Sequence, residues 1–265
     1  MSRQAHLIGS IGLENAETAM TKAAEILGPR CSRIPDGETG GRGYWIRWQQ
    51  RTFDNCKDLQ EGMVQEALPG FKDSVRRPFY KIKQGVSPSD IELGDLGYAK
   101  EALSSYQIFS RLVTEEKISS NVRFQVSIPT PMALVCGFIM AEDQLNVEPA
   151  IESAMIKDVA QIQAEIPPDH LTIQWDVCYE VVGSDGGPKL PYDNCIPGTV
   201  ERLTRLCGSI DDRVELVIHL CYGDPGHKHI VDPVDLGTSV EFANKICAAS
   251  PRLINAVHMP VIKNR

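Results

Sequence analysis

A histidine and a cysteine stand two positions apart at the end of a short apolar run, residues 214–224. Residues two apart in an extended strand project from the same face, so His219 and Cys221 are expected to point the same way. They would do so where a hydrophobic strand meets a polar loop. A thiolate beside an imidazole suits Zn²⁺. The segment predicts either half of a zinc site or a buried cysteine next to a hydrogen-bonded histidine.

Other polar side chains fall at or just beyond the ends of further predicted strands. Function in parallel α/β sheets and barrels gathers at the carboxyl ends of the strands, so these groups are expected to line one pocket. An aspartate on the inward face of a parallel strand is costly unless it is paired or functional, which favours a role for Asp176. For Asp36 and Glu38, catalysis and a structural role are equal alternatives: Asp36 could form the Asp-Gly turn with Gly37, and Glu38 could cap the helix that follows. The predicted acids and bases are Asp36, Glu38, Asp176 and His219.

The candidates for substrate binding are more varied. Arg42 and Arg47 suit a substrate carboxylate, although Arg47 could equally belong to an ordinary helix surface. His227 and His229 lie in a polar loop and are expected to be solvated, with metal binding as the lesser alternative. Cys178 is expected to be a small buried hydrophobe. The other predicted substrate contacts are Ser10, Ser127, Gln174, Glu180 and Tyr222.

Strand-like and helical patterns alternate along the chain, which favours βαβ units, a parallel sheet and one domain over residues 1–265. The apolar runs predict seven strands, at residues 5–11, 31–34, 78–83, 122–128, 171–176, 214–220 and 253–258. Apolar residues at helical spacing predict helices at residues 14–27, 44–53, 96–118, 148–166, 199–206 and 239–248. A Gly- and Pro-rich loop is expected at residues 183–198.

Composition narrows the class of protein. With 265 residues, of which 42% are hydrophobic, the chain can bury one sizeable core. Its net charge of −8 argues against a nucleic-acid or anionic-membrane partner. The sequence lacks an apolar run of transmembrane length and a signal-peptide pattern, and its eight cysteines include no Cys-x-x-Cys. We therefore expect a soluble cytoplasmic protein that acts on a small molecule.

Four short segments, in order, resemble the superfamily of cobalamin-independent methionine synthase and uroporphyrinogen decarboxylase. They are Ile-Gly-Ser-Ile at 8–11, Val-Ser-Ile-Pro-Thr-Pro at 126–131, Ile-Gln-Trp-Asp-Val at 173–177 and His-Leu-Cys-Tyr at 219–222, the last being the most specific. The resemblance implies a TIM-type (β/α) barrel with its site at the carboxyl end of the strands. Residues 34–40 depart from methionine synthase and resemble an uncharacterised branch of the same superfamily.

The resemblance also implies roles for single residues. His219 and Cys221 correspond to two zinc ligands, and Asp176 corresponds to an acid that contacts the substrate amino group. His258 stands where the family has a glutamate ligand. The family's fourth ligand is a cysteine on strand eight, and the sequence ends at Arg265 after the last predicted strand. We therefore expect a barrel without the eighth strand, whose open edges favour a homo-oligomer.

Three functions follow from these observations. The first is an enzyme that uses acid–base chemistry, of lyase, decarboxylase or isomerase type, on a small polar or carboxylated substrate. The second is a zinc-dependent methyl or alkyl transferase to a thiol, with ligands from His219, Cys221 and His258. The third is a non-catalytic protein that binds a small molecule.

Overall fold

The computed structural model of the protein describes residues 4–65, 77–224 and 228–260. A curled parallel sheet surrounded by helices forms its centre. The sheet has five strands in the order β1-β4-β5-β6-β7. Their bounds are Arg33–Pro35 (β1), Arg123–Pro129 (β4), Leu171–Val177 (β5), Glu215–Leu220 (β6) and Ala256–His258 (β7). The mixed α/β class is thus confirmed, and the sheet has the form of a half-barrel; a full TIM barrel is not confirmed.

Two further strands lie outside the parallel sheet. Strand β2, Leu59–Gln65, pairs antiparallel with β3, Arg77–Ile82. The expectation that residues 78–83 belong to the parallel series is therefore wrong. An alternating pattern identifies a strand without identifying its neighbour, and here the neighbour is the preceding strand in the chain.

The predicted first strand, residues 5–11, also differs from the structure. Residues 5–10 run beside β1 and make only two isolated parallel bridges, Ala5 to Cys31 and Ser10 to Gly37. Backbone hydrogen bonds from Ala5 N to Arg30 O (2.8 Å) and from Ile11 N to Gly37 O (2.9 Å) hold its two ends. The segment therefore lies along the sheet edge without forming a regular ladder.

The helices follow the predicted apolar periodicity closely. The longer ones are α1 (Ala16–Leu27), α3 (Tyr98–Thr114), α5 (Gln144–Glu165), α7 (Cys195–Gly208) and α8 (Gly237–Ala249). Helix α1 begins where the Asn15 side chain accepts a hydrogen bond from Thr18 N at 2.9 Å, as an N-cap residue does. Its buried face carries Ala16, Ala19, Met20 and Ala23, which share one side of the helix.

Three short α-helices and six 3₁₀ helices complete the described structure. The α-helices are α2 (Gln50–Asp54), α4 (Pro131–Phe138) and α6 (Tyr179–Ser184). The helix predicted at residues 44–53 is a 3₁₀ helix, Trp45–Gln49, followed by α2. The predicted loop at residues 183–198 is shorter than expected, because α7 already begins at Cys195. Helices α4 and α6 start within two residues of the ends of β4 and β5, and so lie close behind the carboxyl edge of the sheet. Among the described residues, no helix combines the length and the apolar character that crossing a membrane requires.

Candidate functional site

The register of the parallel strands brings predicted site residues to one edge of the sheet. Ser127 on β4 pairs with Gln174 on β5, and Asp176 on β5 pairs with His219 on β6. His219 in turn pairs with His258 on β7. Partners in a parallel ladder project to the same face, so these five side chains converge as the sequence predicted.

Asp176 is held in place by a glutamine two residues earlier on the same strand. The Gln174 amide nitrogen donates to Asp176 Oδ1 at 2.8 Å and to Ile8 O at 2.6 Å. The Gln174 oxygen lies 2.8 Å from His6 Nε2. Burial, helped by the Glu38 carboxylate and opposed by His219, raises the pKa of Asp176 to about 8. Burial therefore favours the neutral form of this carboxyl group.

His219 and His258 form a hydrogen-bonded pair whose pKa values are displaced in opposite directions. Their Nδ1 atoms lie 2.8 Å apart. Burial lowers the pKa of His219, but a hydrogen bond with Cys221 and the charge of Asp176 outweigh it, so the pKa is raised. Burial and the nearby His219 charge lower the pKa of His258 to about 4. The pair therefore favours a shared proton on His219 over His258.

Cys221 has the environment of a thiolate. A hydrogen bond from Cys178 is the largest of the effects that hold its pKa well below the ordinary thiol value, and His219 adds to this despite the opposing effect of burial. The Gly223 backbone N–H also donates to Cys221 Sγ at 3.2 Å. Cys178 is buried, as expected for a small hydrophobe, yet its thiol interacts with Cys221, which the sequence did not predict.

Both carboxylate oxygens of Asp36 accept hydrogen bonds. Its Oδ1 accepts from Glu38 N at 2.9 Å, the turn geometry that was one of the two expectations for this residue. Its Oδ2 accepts from Arg42 Nη2 at 2.6 Å and from Ser105 Oγ at 2.7 Å. The Arg42 Nε also lies 3.4 Å from Glu101 Oε2. Asp36 therefore fixes the loop after β1 and the position of Arg42.

Glu38 and Asp36 line one recess at this edge of the sheet, together with Gly9, Arg42 and Ser127. The Ser10 hydroxyl donates to Glu38 Oε2. A Cβ atom on Gly9 would stand 3.0 Å from Glu38 Oε1, so the absence of a side chain there leaves room for the carboxylate. Burial raises the pKa of Glu38, while Ser10 lowers it. The described structure thus places a second weakly acidic carboxyl group at this edge.

Three predicted substrate contacts lie outside this cluster. Tyr222 is buried with its hydroxyl 3.2 Å from Ser239 Oγ at the start of α8, because it alternates in direction with His219 and Cys221. Glu180 accepts from Thr130 Oγ1 at 2.6 Å and lines a separate recess; burial raises its pKa to about 7. Arg47 stands over the ring of Tyr44, 5.8 Å from its centroid.

Of the two loop histidines, the structure describes only His229, and His227 lies outside the described residues. His229 Nδ1 is 3.5 Å from Asp232 Oδ1, and its ring is 6.0 Å from that of Tyr222. His229 therefore gives no support to metal binding, which was the lesser alternative for this loop.

Sequence reasoning missed His6 and Gln125. The Gln125 amide nitrogen donates to Leu7 O at 2.8 Å and Ile8 O at 3.0 Å, which fixes the N-terminal segment against β4. Its position two residues before Ser127 was a usable signal, because both must share the inward face. His6 carried no comparable pattern, since it precedes a segment that forms no regular strand.

The donor types at this edge suit zinc, and in this structure two of the donors, His219 and His258, are hydrogen-bonded to each other. Two ligand nitrogens on a tetrahedral zinc, each about 2.0–2.1 Å from the metal, stand roughly 3.3 Å apart. The His219 and His258 nitrogens are hydrogen-bonded at 2.8 Å instead. No group of three or more His, Cys, Asp or Glu residues within the described ranges is placed to hold a metal ion.

The geometry and charges of the described residues therefore define the site. The cluster joins the buried Asp176 carboxyl group, the half-buried Glu38 carboxyl group, the His219 imidazole with a raised pKa and the Cys221 thiol with a lowered pKa, at the carboxyl edge of a parallel sheet. Comparison with known proteins finds no matching family model, no matching curated protein and no matching solved structure.

Proposed function

We propose that this edge of the sheet is the active site of an enzyme that uses acid–base chemistry, of lyase, decarboxylase or isomerase type, on a small polar or carboxylated substrate. The observation that carries the proposal is the register pair of Asp176 and His219, both buried and both with a raised pKa. Catalytic acids and bases work best with pKa values near the operating pH. A carboxyl group that burial holds toward its neutral form, beside an imidazole with a raised pKa, is a source of protons near neutral pH.

Each acidic group receives a distinct role. Asp176, held by Gln174, is the proton donor to the reacting substrate atom. Glu38 is the base, because burial raises its pKa and makes its carboxylate a stronger proton acceptor. Its Oε2 is engaged by Ser10, which orients the carboxylate. Both carboxyl groups act on one substrate, in keeping with their electrostatic interaction with each other.

The remaining groups position the substrate and its charge. His219 supplies positive charge that stabilises an anionic intermediate, and it interacts electrostatically with both Asp176 and Glu38. Arg42, fixed by Asp36, contributes positive charge to the recess that takes a substrate carboxylate. Asp36 is a positioning residue in this scheme, since its oxygens are already engaged.

The fold behind this proposal is a (β/α) barrel of the methionine synthase and uroporphyrinogen decarboxylase superfamily. The half-barrel sheet and the position of the polar cluster at its carboxyl edge support it. The four sequence segments that resemble this superfamily add to the support.

Solvent exchange provides the test, because it detects proton abstraction even when the product is unidentified. A panel of small carboxylic and hydroxy acids is incubated with the protein in D₂O, and incorporation of deuterium at carbon is followed by NMR. Glu38→Gln is expected to slow exchange by about 10²–10⁴-fold, the usual contribution of a general base. Glu201→Gln, at an exposed position on α7, is the matched control and should exchange at the wild-type rate.

Two results would overturn the assignment. Equal exchange by the wild type and by Glu38→Gln would exclude Glu38 as the base. Specific binding of a panel member with neither exchange nor turnover would favour the non-catalytic binding protein.

A zinc-dependent methyl or alkyl transferase to a thiol is the second candidate. The observation that favours it is the convergence of His219, Cys221 and His258 at the ends of neighbouring strands. These residues would hold the ion, which would supply acidity to a substrate thiol. Bound zinc in protein purified without added metal decides the premise: less than about a tenth of an equivalent would count against it. Cys221→Ala should abolish zinc-dependent transfer and leave acid–base exchange near normal.

A further inference from the structure

Two cysteines occupy opposite positions where β5 and β6 end. The last register pairs are Asp176 with His219 and Val177 with Leu220. Cys221 N donates to Val177 O at 3.0 Å, which continues the ladder by one step. The next position along both chains is therefore Cys178 opposite Cys221.

This arrangement satisfies the backbone requirement of a disulfide. Neighbouring strands lie about 4.8 Å apart, and disulfide-linked residues have Cα atoms about 4.4–6.8 Å apart. Both sulfur atoms also lie beside Gly223: its N–H donates to Cys221 Sγ at 3.2 Å, and a Cβ atom on it would stand 3.6 Å from Cys178 Sγ. Each thiol also shifts the pKa of the other.

The two thiols differ in access to solvent. Cys178 is 4% exposed, whereas Cys221 is partly exposed. The loop after β6 covers Cys178: a Cβ atom on Gly223 would stand 3.6 Å from Cys178 Sγ and 2.7 Å from Ile230 Cδ1. An oxidant that arrives from solvent therefore meets Cys221 first.

We propose that Cys178 and Cys221 are a redox modification site, in which a hydroperoxide converts the pair to a reversible disulfide. The Cys221 thiolate attacks one peroxide oxygen, the O–O bond breaks, and Cys221 becomes a sulfenic acid while hydroxide or alkoxide leaves with the displaced electron pair. The Cys178 sulfur then attacks the Cys221 sulfur and expels hydroxide, which takes the Cys178 proton and leaves as water. Two thiols are oxidised and one hydroperoxide is reduced. A thiol reductant restores the pair.

Peptide mapping of the full chain tests the modification directly. The protein is treated with a chelator, so that a metal ion cannot shield the thiols, and then with an equivalent of hydrogen peroxide. We expect a peptide that contains Cys178 to become linked to a peptide that contains Cys221, with a mass loss of two hydrogen atoms, reversed by dithiothreitol. Cys178→Ser should instead yield a sulfenic acid at Cys221 that dimedone traps. Cys247→Ser, at an exposed position on α8, is the control and should leave the link unchanged.

Oxidation of Cys247 with Cys178 and Cys221 still reduced, or linkage to some other cysteine, would overturn the proposed site. The peptide map decides the disulfide independently of the proposed function.

Discussion

Asp176→Asn isolates the energetic effect of a buried carboxyl group. Asparagine has nearly the same shape, and its side-chain oxygen can still accept the hydrogen bond from Gln174. The change removes only the ability to ionise. In the wild type, by contrast, folding holds this group in a buried position that disfavours the charged form. The stability of the two proteins should therefore depend differently on pH.

The size of the effect follows from the shift in pKa. Asp176 has an ordinary value of 3.8 and a folded value of about 8. Between these values the folded protein keeps the proton that the unfolded chain has released, so the wild type loses stability as pH rises. Because one pKa unit corresponds to about 1.4 kcal/mol, the loss between about pH 5 and about pH 7 is about 3 kcal/mol. The asparagine variant has no group to ionise at this position, so Asp176→Asn gains about 3 kcal/mol relative to the wild type over that interval.

Urea denaturation at a series of pH values measures this difference. Tryptophan fluorescence and far-UV circular dichroism should give coincident transitions, which justifies a two-state free energy. Asp211→Asn is the control, because hydrogen bonds from Arg213 lower the pKa of that exposed carboxylate and its contribution is lost only at more acidic pH. Its difference from the wild type should be constant between pH 5 and pH 7. A constant difference for Asp176→Asn as well would mean that Asp176 is ionised throughout, and would refute both this reasoning and its role as proton donor.

Two further predictions concern stability. Glu148 and Arg202 form a largely buried ion pair with an Nη2–Oε2 distance of 2.8 Å. Glu148→Gln should lower the free energy of unfolding by about 3 kcal/mol in urea, whereas Glu201→Gln at an exposed pair should change it by less than about 0.5 kcal/mol. Gly37 has a φ of 82°, and a Cβ atom there would lie 2.8 Å from a methyl carbon of α1. Gly37→Ala should therefore cost about 2 kcal/mol by thermal unfolding, and Gly41→Ala, whose Cβ would meet open space, should cost less than half as much. Equal effects within either pair would contradict the packing described.

Part of this fold follows directly from patterns in the sequence. The runs at residues 171–176 and 214–220 are apolar and bounded by polar segments, so β5 and β6 were predictable to within about a residue. Gly28 marks the end of α1, where a φ of 51° favours glycine. Local patterns suffice for these elements because the strand or helix and the residues that end it lie within one short segment of the sequence.

Pairing between strands was harder to predict from the sequence. Strand β2 carries Leu59, Gly62 and Met63 among polar residues, and Met63 is 53% exposed, so it lacks the apolar signal of a buried strand. Its partner β3 has a recognisable pattern but gives no sign of joining β2. The choice between an antiparallel hairpin and the central sheet depends on contacts that no local pattern encodes.

The sequence predicted which side chains share a strand face, but it did not predict where residues beyond the strands lie. Alternation along β5 correctly placed Gln174 and Asp176 on one face, and the same rule applied to β6 placed His219 with Cys221. The rule fails beyond the strand ends. Glu180 lies in α6 and turns toward a different recess, although it continues the even-numbered series.

Polar residues occupy the inward face of the sheet at both ends, and the way they are satisfied distinguishes the two ends. At the amino end, Glu215 lies 2.6 Å from Arg33 Nε and 3.4 Å from Arg123 Nε, and it accepts from Thr172 Oγ1 at 3.1 Å. These opposite charges compensate one another, as expected of an end that stabilises the fold.

At the carboxyl end, Asp176 has one glutamine donor and His219 is shared between a histidine and a thiolate, so burial and neighbouring charges displace their pKa values. Evolution of a purely structural interior would favour the paired arrangement at both ends, since uncompensated buried charge is costly. The incomplete pairing at the carboxyl end is therefore the strongest physical reason to place catalysis there.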